Sequence, residues 1–172
     1  MNLAYFIERF AQNKTVFAGL VRGLSEDQVR WKPAPEKWSM LEVINHLFDE
    51  EKEDFRQRIE IVLSDPDRSW PPIDPRGWVV TRAYNDRNLE ESLDNFITER
   101  DKSLAWLGQL TSPNWDNRHE GANGTLAAGD LLAAWLAHDF LHTRQLARLH
   151  WQYVGLISGP YQTIYGGPWE ES

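Results

Sequence analysis

The sequence predicts an all-α protein, a four-helix bundle with long inter-helix connections, as a single domain over residues 1–172. Three observations predict it. Four long stretches repeat their apolar residues with the 3.6-residue period of an amphipathic helix. Each stretch is bounded by capping residues or by helix breakers. The chain, 41% hydrophobic with nine Trp, seven Phe and five Tyr, has length and aromatic surface enough to close a sizeable core.

The first stretch runs from about 2 to 22, with Leu3, Phe6, Ile7, Phe10, Phe17, Leu20 and Val21 on one face and Gly23 as its stop. The second runs from about 40 to 63, and Ser39 followed by Glu42 is a capping-box signature. Leu41, Ile44, Phe48, Phe55, Ile59 and Val62 share its face, and Asp65-Pro66 ends it. The third, about 89 to 110, has Asn88 as N-cap and Leu93, Phe96, Ile97, Leu104 and Leu107 as its stripe. The fourth, about 126 to 153, has Thr125 as the expected N-cap and Leu131, Leu132, Trp135, Leu146 and Leu149 as its stripe.

The connections 23–38, 64–87 and 111–124 are long enough to cross a bundle end or run back along its side, so up-down-up-down order need not hold. The middle connection carries Pro66, Pro71, Pro72, Pro75 and Gly77 and leaves room for a short strand from Trp78 to Thr81. Beyond Tyr153 the chain is rich in Gly, Pro and Tyr and reads as irregular.

A net charge of −8 disfavours nucleic acid and anionic membrane surfaces as partners. No apolar run approaches the roughly 18 residues of a membrane span, and Glu8 and Arg9 interrupt any signal-like start. The expected location is therefore cytoplasmic, and the expected partner a small-molecule substrate. With no cysteine, disulfides, thiolate metal sites and a cysteine nucleophile are excluded.

His138 and His142 carry the strongest chemical signal. With Leu131 at zero on a helical wheel, Trp135 falls at about 40°, His138 at about 340° and His142 at about 20°. Two imidazoles thus occupy the centre of an apolar stripe. Burying both costs free energy unless each nitrogen is satisfied, and a divalent metal satisfies one nitrogen of each. Hydrogen bonding within the core is the plainer alternative. An open catalytic site needs a third ligand. His119 lies in a Gly- and Asn-rich loop, and His150 falls off the stripe. His46 remains, away from the centre of its own apolar face beside Glu50 and Glu53, either as a ligand in a groove at the bundle's side or as a surface histidine.

The run Asp49, Glu50, Glu51, Lys52, Glu53, Asp54 reads first as a solvated face. In the functional reading Glu50, one turn after His46, orients its imidazole or lends charge to a metal site. Arg100 falls among Phe96, Ile97, Leu104 and Leu107 and projects toward the core. It is expected in an ion pair with Asp139 or a carboxylate of the second helix, or else as a clamp for an anionic substrate group. Trp31 and Trp38 flank the start of the second helix and are placed to line a pocket mouth.

Several of these segments resemble the DinB/YfiT-like superfamily. The residues that carry the likeness are Leu24 to Gln28, Trp38 to Leu47 with Glu50 or Glu51 after them, and Trp135 to Leu146. The similarity spans roughly residues 3–152. It implies a four-helix bundle with non-sequential neighbours and one divalent metal held by His46, His138 and His142. Members resemble thiol transferases using a low-molecular-weight thiol, a thiol-dependent maleylpyruvate isomerase, and metal-dependent hydrolases. Imidazole ligands suit zinc or nickel among first-row metals. The resemblance thus implies a metal-dependent enzyme. Either metal-bound water gives hydrolysis, or a thiol brought in from outside gives S-transfer. A non-catalytic dimeric metal-binding or interaction module is the alternative. The resemblance and the tryptophan content also point to a homodimer.

Overall fold

The computed structural model describes residues 1–121 and 124–169. Helix α1 (Leu3–Val21) begins on Asn2, whose side chain accepts from the Tyr5 N–H at 3.3 Å. It ends as expected at Gly23, which turns the chain at φ +77°. A short helix not foreseen, α2 (Glu26–Arg30), follows under a Ser25 cap.

Helix α3 (Met40–Glu50) opens on the expected capping box. The Ser39 hydroxyl accepts from the Glu42 N–H at 3.1 Å, and the Glu42 carboxylate accepts from the Ser39 N–H at 2.8 Å. The helix then widens into one π-helical turn, Glu51–Phe55, and resumes as α4 (Arg56–Ser64). A π turn is an α-helix carrying an extra residue, and such turns gather at functional sites.

The strand expected from Trp78 to Thr81 is instead part of helix α5 (Pro75–Thr81). Asp74 caps it by accepting from the Gly77 N–H at 3.0 Å, and Pro75 sits at its first position, where the missing N–H costs nothing. Helix α6 (Leu89–Gln109) starts on Asn88 as expected. Thr125 is not an N-cap: it lies in strand β2 (Gly124–Ala127), paired antiparallel with β1 (Arg118–Gly121). Helix α7 (Ala128–Ile157) starts later, with the Asp130 carboxylate accepting from the Ala127 N–H at 2.9 Å, and extends past Tyr153. Among the described residues no helix is long and apolar enough to cross a membrane.

The four long elements pack out of chain order. Helix α1 lies against α6 and α7, and α3 also lies against α6 and α7. Around the bundle the order is α1, α6, α3, α7. Two chain-consecutive pairs, α1 with α3 and α6 with α7, therefore face each other across diagonals, which is why α2 and the hairpin are needed to span them.

Apolar packing fills the two ends of the bundle. One cluster holds Phe17, Val21, Leu41, Ile44, Leu93, Phe96 and Leu146. The other holds Phe10, Ile59, Val62, Leu107, Leu132 and Trp135. Between them the bundle carries a buried polar layer with one residue from each long element: Asn13, Glu51, Arg100 and Asp139.

Candidate metal centre

Arg100 is the hub of that layer. Its Nη1 and Nη2 donate to Oδ2 and Oδ1 of Asp139 at 2.7 and 2.8 Å, and its Nε donates to Glu51 Oε1 at 2.8 Å. The Asn13 amide donates to Asp139 Oδ2 at 3.0 Å, and the Trp135 indole donates to Glu51 Oε2 at 3.1 Å. Burial alone would depress the Arg100 pKa, but the Glu51 and Asp139 carboxylates outweigh it and hold it above the usual range. Its donors are thus engaged inside the protein, by both partners that the sequence had suggested.

Asp139 fixes α7, and the residues on either side of it on the helix surface, His138 and His142, face α3. His46 meets them there. His46 Nε2 lies 3.3 Å from His138 Nε2, and His142 Nε2 lies 3.0 Å from the same atom. The ligating atoms these three residues offer all lie within 4.8 Å of one another.

When all three rings are neutral, three crowded Nε2 atoms have at best one N–H, that of His138, to share among them, since a ring nitrogen either donates or accepts. They are neutral. Burial, then the neighbouring imidazoles, depresses His46 to about 2 and His138 to about 3. Burial lowers His142 as well, opposed by its hydrogen bond with Gln145. Bonds of 2.0–2.1 Å to a common ion would separate ligand nitrogens by about 3.0 Å at right angles or about 3.3 Å at tetrahedral angles. The His46–His138 and His138–His142 spacings match those values, so the donor set fits a divalent cation.

Neighbouring groups orient the rings. His142 Nδ1 donates to Gln145 Oε1 at 2.8 Å, which leaves the Nε2 lone pair for the centre. Among the described residues His46 Nδ1 has no hydrogen-bond partner, and it lies 3.9 Å from Glu50 Oε1. Burial, with Asp54 beside it, pushes the Glu50 carboxyl up to about 8. Trp38 packs on His46 with ring centres 4.8 Å apart and lies parallel to His142 at 6.4 Å, while Phe55 packs on His138 at 5.2 Å.

His46 is not on the surface. It is 4% exposed, and every residue of α3 except Phe48 is buried. The wheel placed His46 off the apolar face correctly, but α7 and Trp38 cover that face too. The acidic run is not a solvated face either. Asp49, Glu50, Glu51 and Asp54 are buried, and cations from elsewhere meet them: Arg82 reaches Asp49 and Glu53 at 2.9 Å, and Arg100 reaches Glu51.

Two histidines stand apart. His119 stacks on Trp70 at 4.2 Å and bonds the Pro66 carbonyl at 2.8 Å, and His150 Nε2 bonds the Leu20 carbonyl at 2.6 Å. Gln145 was missed as an orienting residue, although its spacing of three from His142 on one helix was a readable signal.

The sequence model of the DinB superfamily matches residues 9–146. No curated protein matches the chain. Among solved structures, YfiT from Bacillus subtilis superposes with a TM-score of 0.78 at 14% identity, over 88% of this chain and 87% of that one. That protein is described as "a probable metal-dependent hydrolase with an unusual four-helix bundle topology", and the likeness at this identity is one of fold.

Proposed function

The chain belongs to the DinB superfamily, and on that premise we propose that it is a metal-dependent hydrolase of a small molecule. One observation carries the proposal: the ligating nitrogens that His46, His138 and His142 offer all lie within 4.8 Å of one another, and burial lowers the pKa of each ring. His46, His138 and His142 would hold the ion, with zinc or nickel as the metals their chemistry suits. Bound there, a divalent cation supplies Lewis acidity that acidifies a water or a thiol.

The chain's own side chains do the rest. Gln145 holds the His142 tautomer, and Glu50 is placed to orient His46 through Nδ1. Trp38 and Phe55 keep water from the flanks of the rings. Arg100 holds α3 and α7 in register and stands as a structural residue. A thiol nucleophile would have to come from outside, because the chain has no cysteine. Water gives hydrolysis, and a low-molecular-weight thiol gives the S-transfer that some relatives resemble. The exposed Phe140 and Leu141 on α7 favour assembly as a homodimer.

Elemental analysis of the purified protein tests the reading, followed by a screen of small esters and amides with and without added thiols. The expected result is one metal per chain and turnover that a chelator removes and metal restores. A chain that purifies and reloads without metal overturns it.

A further inference from the structure

The outward face of helix α7 differs from that of α6. On α6 the exposed positions carry Glu90, Glu91, Asp94, Asp101 and Lys102. On α7, between Asp130 and Arg144, they carry Ala133, Ala134, Ala137, Phe140 and Leu141, and no charge. Phe140 and Leu141 are 51% and 61% exposed. In a chain that is 26% charged, a continuous apolar stripe on the surface marks ground that a partner covers.

The stripe has an internal order. On the helical wheel its five residues and the charge at each end fall within about 120° of arc. Ala137 is the midpoint. Asp130 stands seven residues before it and Arg144 seven after; Ala133 and Leu141 stand four away, Ala134 and Phe140 three. One half is thus small and ends in a negative charge, and the other is large and ends in a positive one. Asp130 caps the helix through Oδ2, and neither it nor Arg144 is in an ion pair among the described residues.

We propose that this stripe is a two-fold interface, on which a second copy of the chain seats its own α7 antiparallel, the two helices crossing at Ala137. Antiparallel pairing turns the small half of each helix onto the large half of the other, as a self-complementary contact requires. Asp130 then meets the partner's Arg144 at each end, about 10.5 Å from the crossing. Leu141 enters the hole between the partner's Asp130, Ala133, Ala134 and Ala137. A parallel copy would set like charge against like at both ends. The proposal rests on the homodimer of the preceding reading, whose surface it assigns, and is independent of the metal.

Sedimentation equilibrium and cysteine cross-linking of the full chain test it. Because the chain has no cysteine, an introduced one reports a single position. Ala137→Cys should form an intermolecular disulfide on mild oxidation, while Ala105→Cys, exposed on α6, should not. Ala137→Glu sets like charges together at the crossing and should raise the dissociation constant at least tenfold, with an unchanged circular dichroism spectrum. Asp130→Lys and Arg144→Glu should each weaken the dimer alone, and an equimolar mixture should restore it, since both end contacts are then complementary. A parent chain that stays monomeric at high micromolar concentration overturns the homodimer and this surface together. A parent dimer that Ala137→Glu leaves intact, or in which Ala137→Cys cross-links no faster than Ala105→Cys, overturns the surface and leaves the homodimer to another face. A mixture of the charge variants that stays monomeric overturns the antiparallel register.

Discussion

Arg100 and Asp139 meet fork to fork at 2.7 and 2.8 Å in fully buried ground, one residue along α7 from His138. The pair fastens α6 to the helix that carries two of the three converging imidazoles. Arg100→Met keeps much of the stem's volume but leaves Glu51 and Asp139 buried without their cation. We expect a loss of about 3–5 kcal/mol, the range for breaking one side of a buried pair, read from denaturant midpoints, with metal content per chain unchanged. A variant that keeps its stability and metal but loses turnover would return Arg100 to the role of substrate clamp.

His142→Ala should lose the bound metal while the helices stay folded, because the imidazole belongs to neither apolar cluster. Elemental analysis with a circular dichroism spectrum checks this. A triple alanine variant at 46, 138 and 142 that still held a full equivalent would place the metal elsewhere.

Gln145→Leu removes the acceptor that fixes the His142 tautomer. Metal affinity should fall by about 10- to 100-fold, as for other residues that orient a ligand. Competition against a chromophoric chelator measures it. An unchanged affinity would show that the Nδ1 contact does not set the ring.

Acid should destabilise the metal-free protein below pH 6.5. The folded pKa values of His46 and His138, about 2 and 3, lie far under the ordinary 6.5, so below that pH the unfolded chain takes up protons the folded one refuses. Each such proton contributes about 1.4 kcal/mol per pH unit. Glu50 opposes them: its folded value near 8 makes the native state the better proton acceptor between about 8 and 4.5. The net expectation is a fall in stability between pH 6.5 and 5, followed by urea titration at several pH values. A Glu50→Gln variant should show a steeper fall. Stability flat across that window would mean that the rings are protonated in the fold.

Much of this was legible in the sequence, and the limits are physical. Ser39 and Asn88 announced two helix starts because a side chain three residues ahead of an N–H can cap it. The β hairpin was not legible, since Arg118 to Gly121 fell in a Gly- and Asn-rich connection with no alternation to mark a strand. Helix α5 was masked by its prolines, one of which is a helix starter. At the centre, the spacing of His138 and His142 was sufficient. His46 was not separable from a surface histidine on its wheel. What buries it is Trp38 and a helix more than ninety residues away, and periodicity within one segment cannot report that. The acidic run failed for the same reason, its counter-charges being Arg82 and Arg100.

The π turn at Glu51–Phe55 gives α3 and α4 one axis but two settings. Each residue turns an α-helix by about 100°, so an extra one held in a wide turn re-phases everything beyond it. Upstream, the phase aims His46 at α7; downstream, it aims Ile59 and Val62 at the far apolar cluster. The two halves are geared separately, like dials on a common shaft. A lineage could re-aim the ligand half by gaining or losing one residue in this turn while the packing half kept its register, so that chemistry and foldedness need not vary together along this rod.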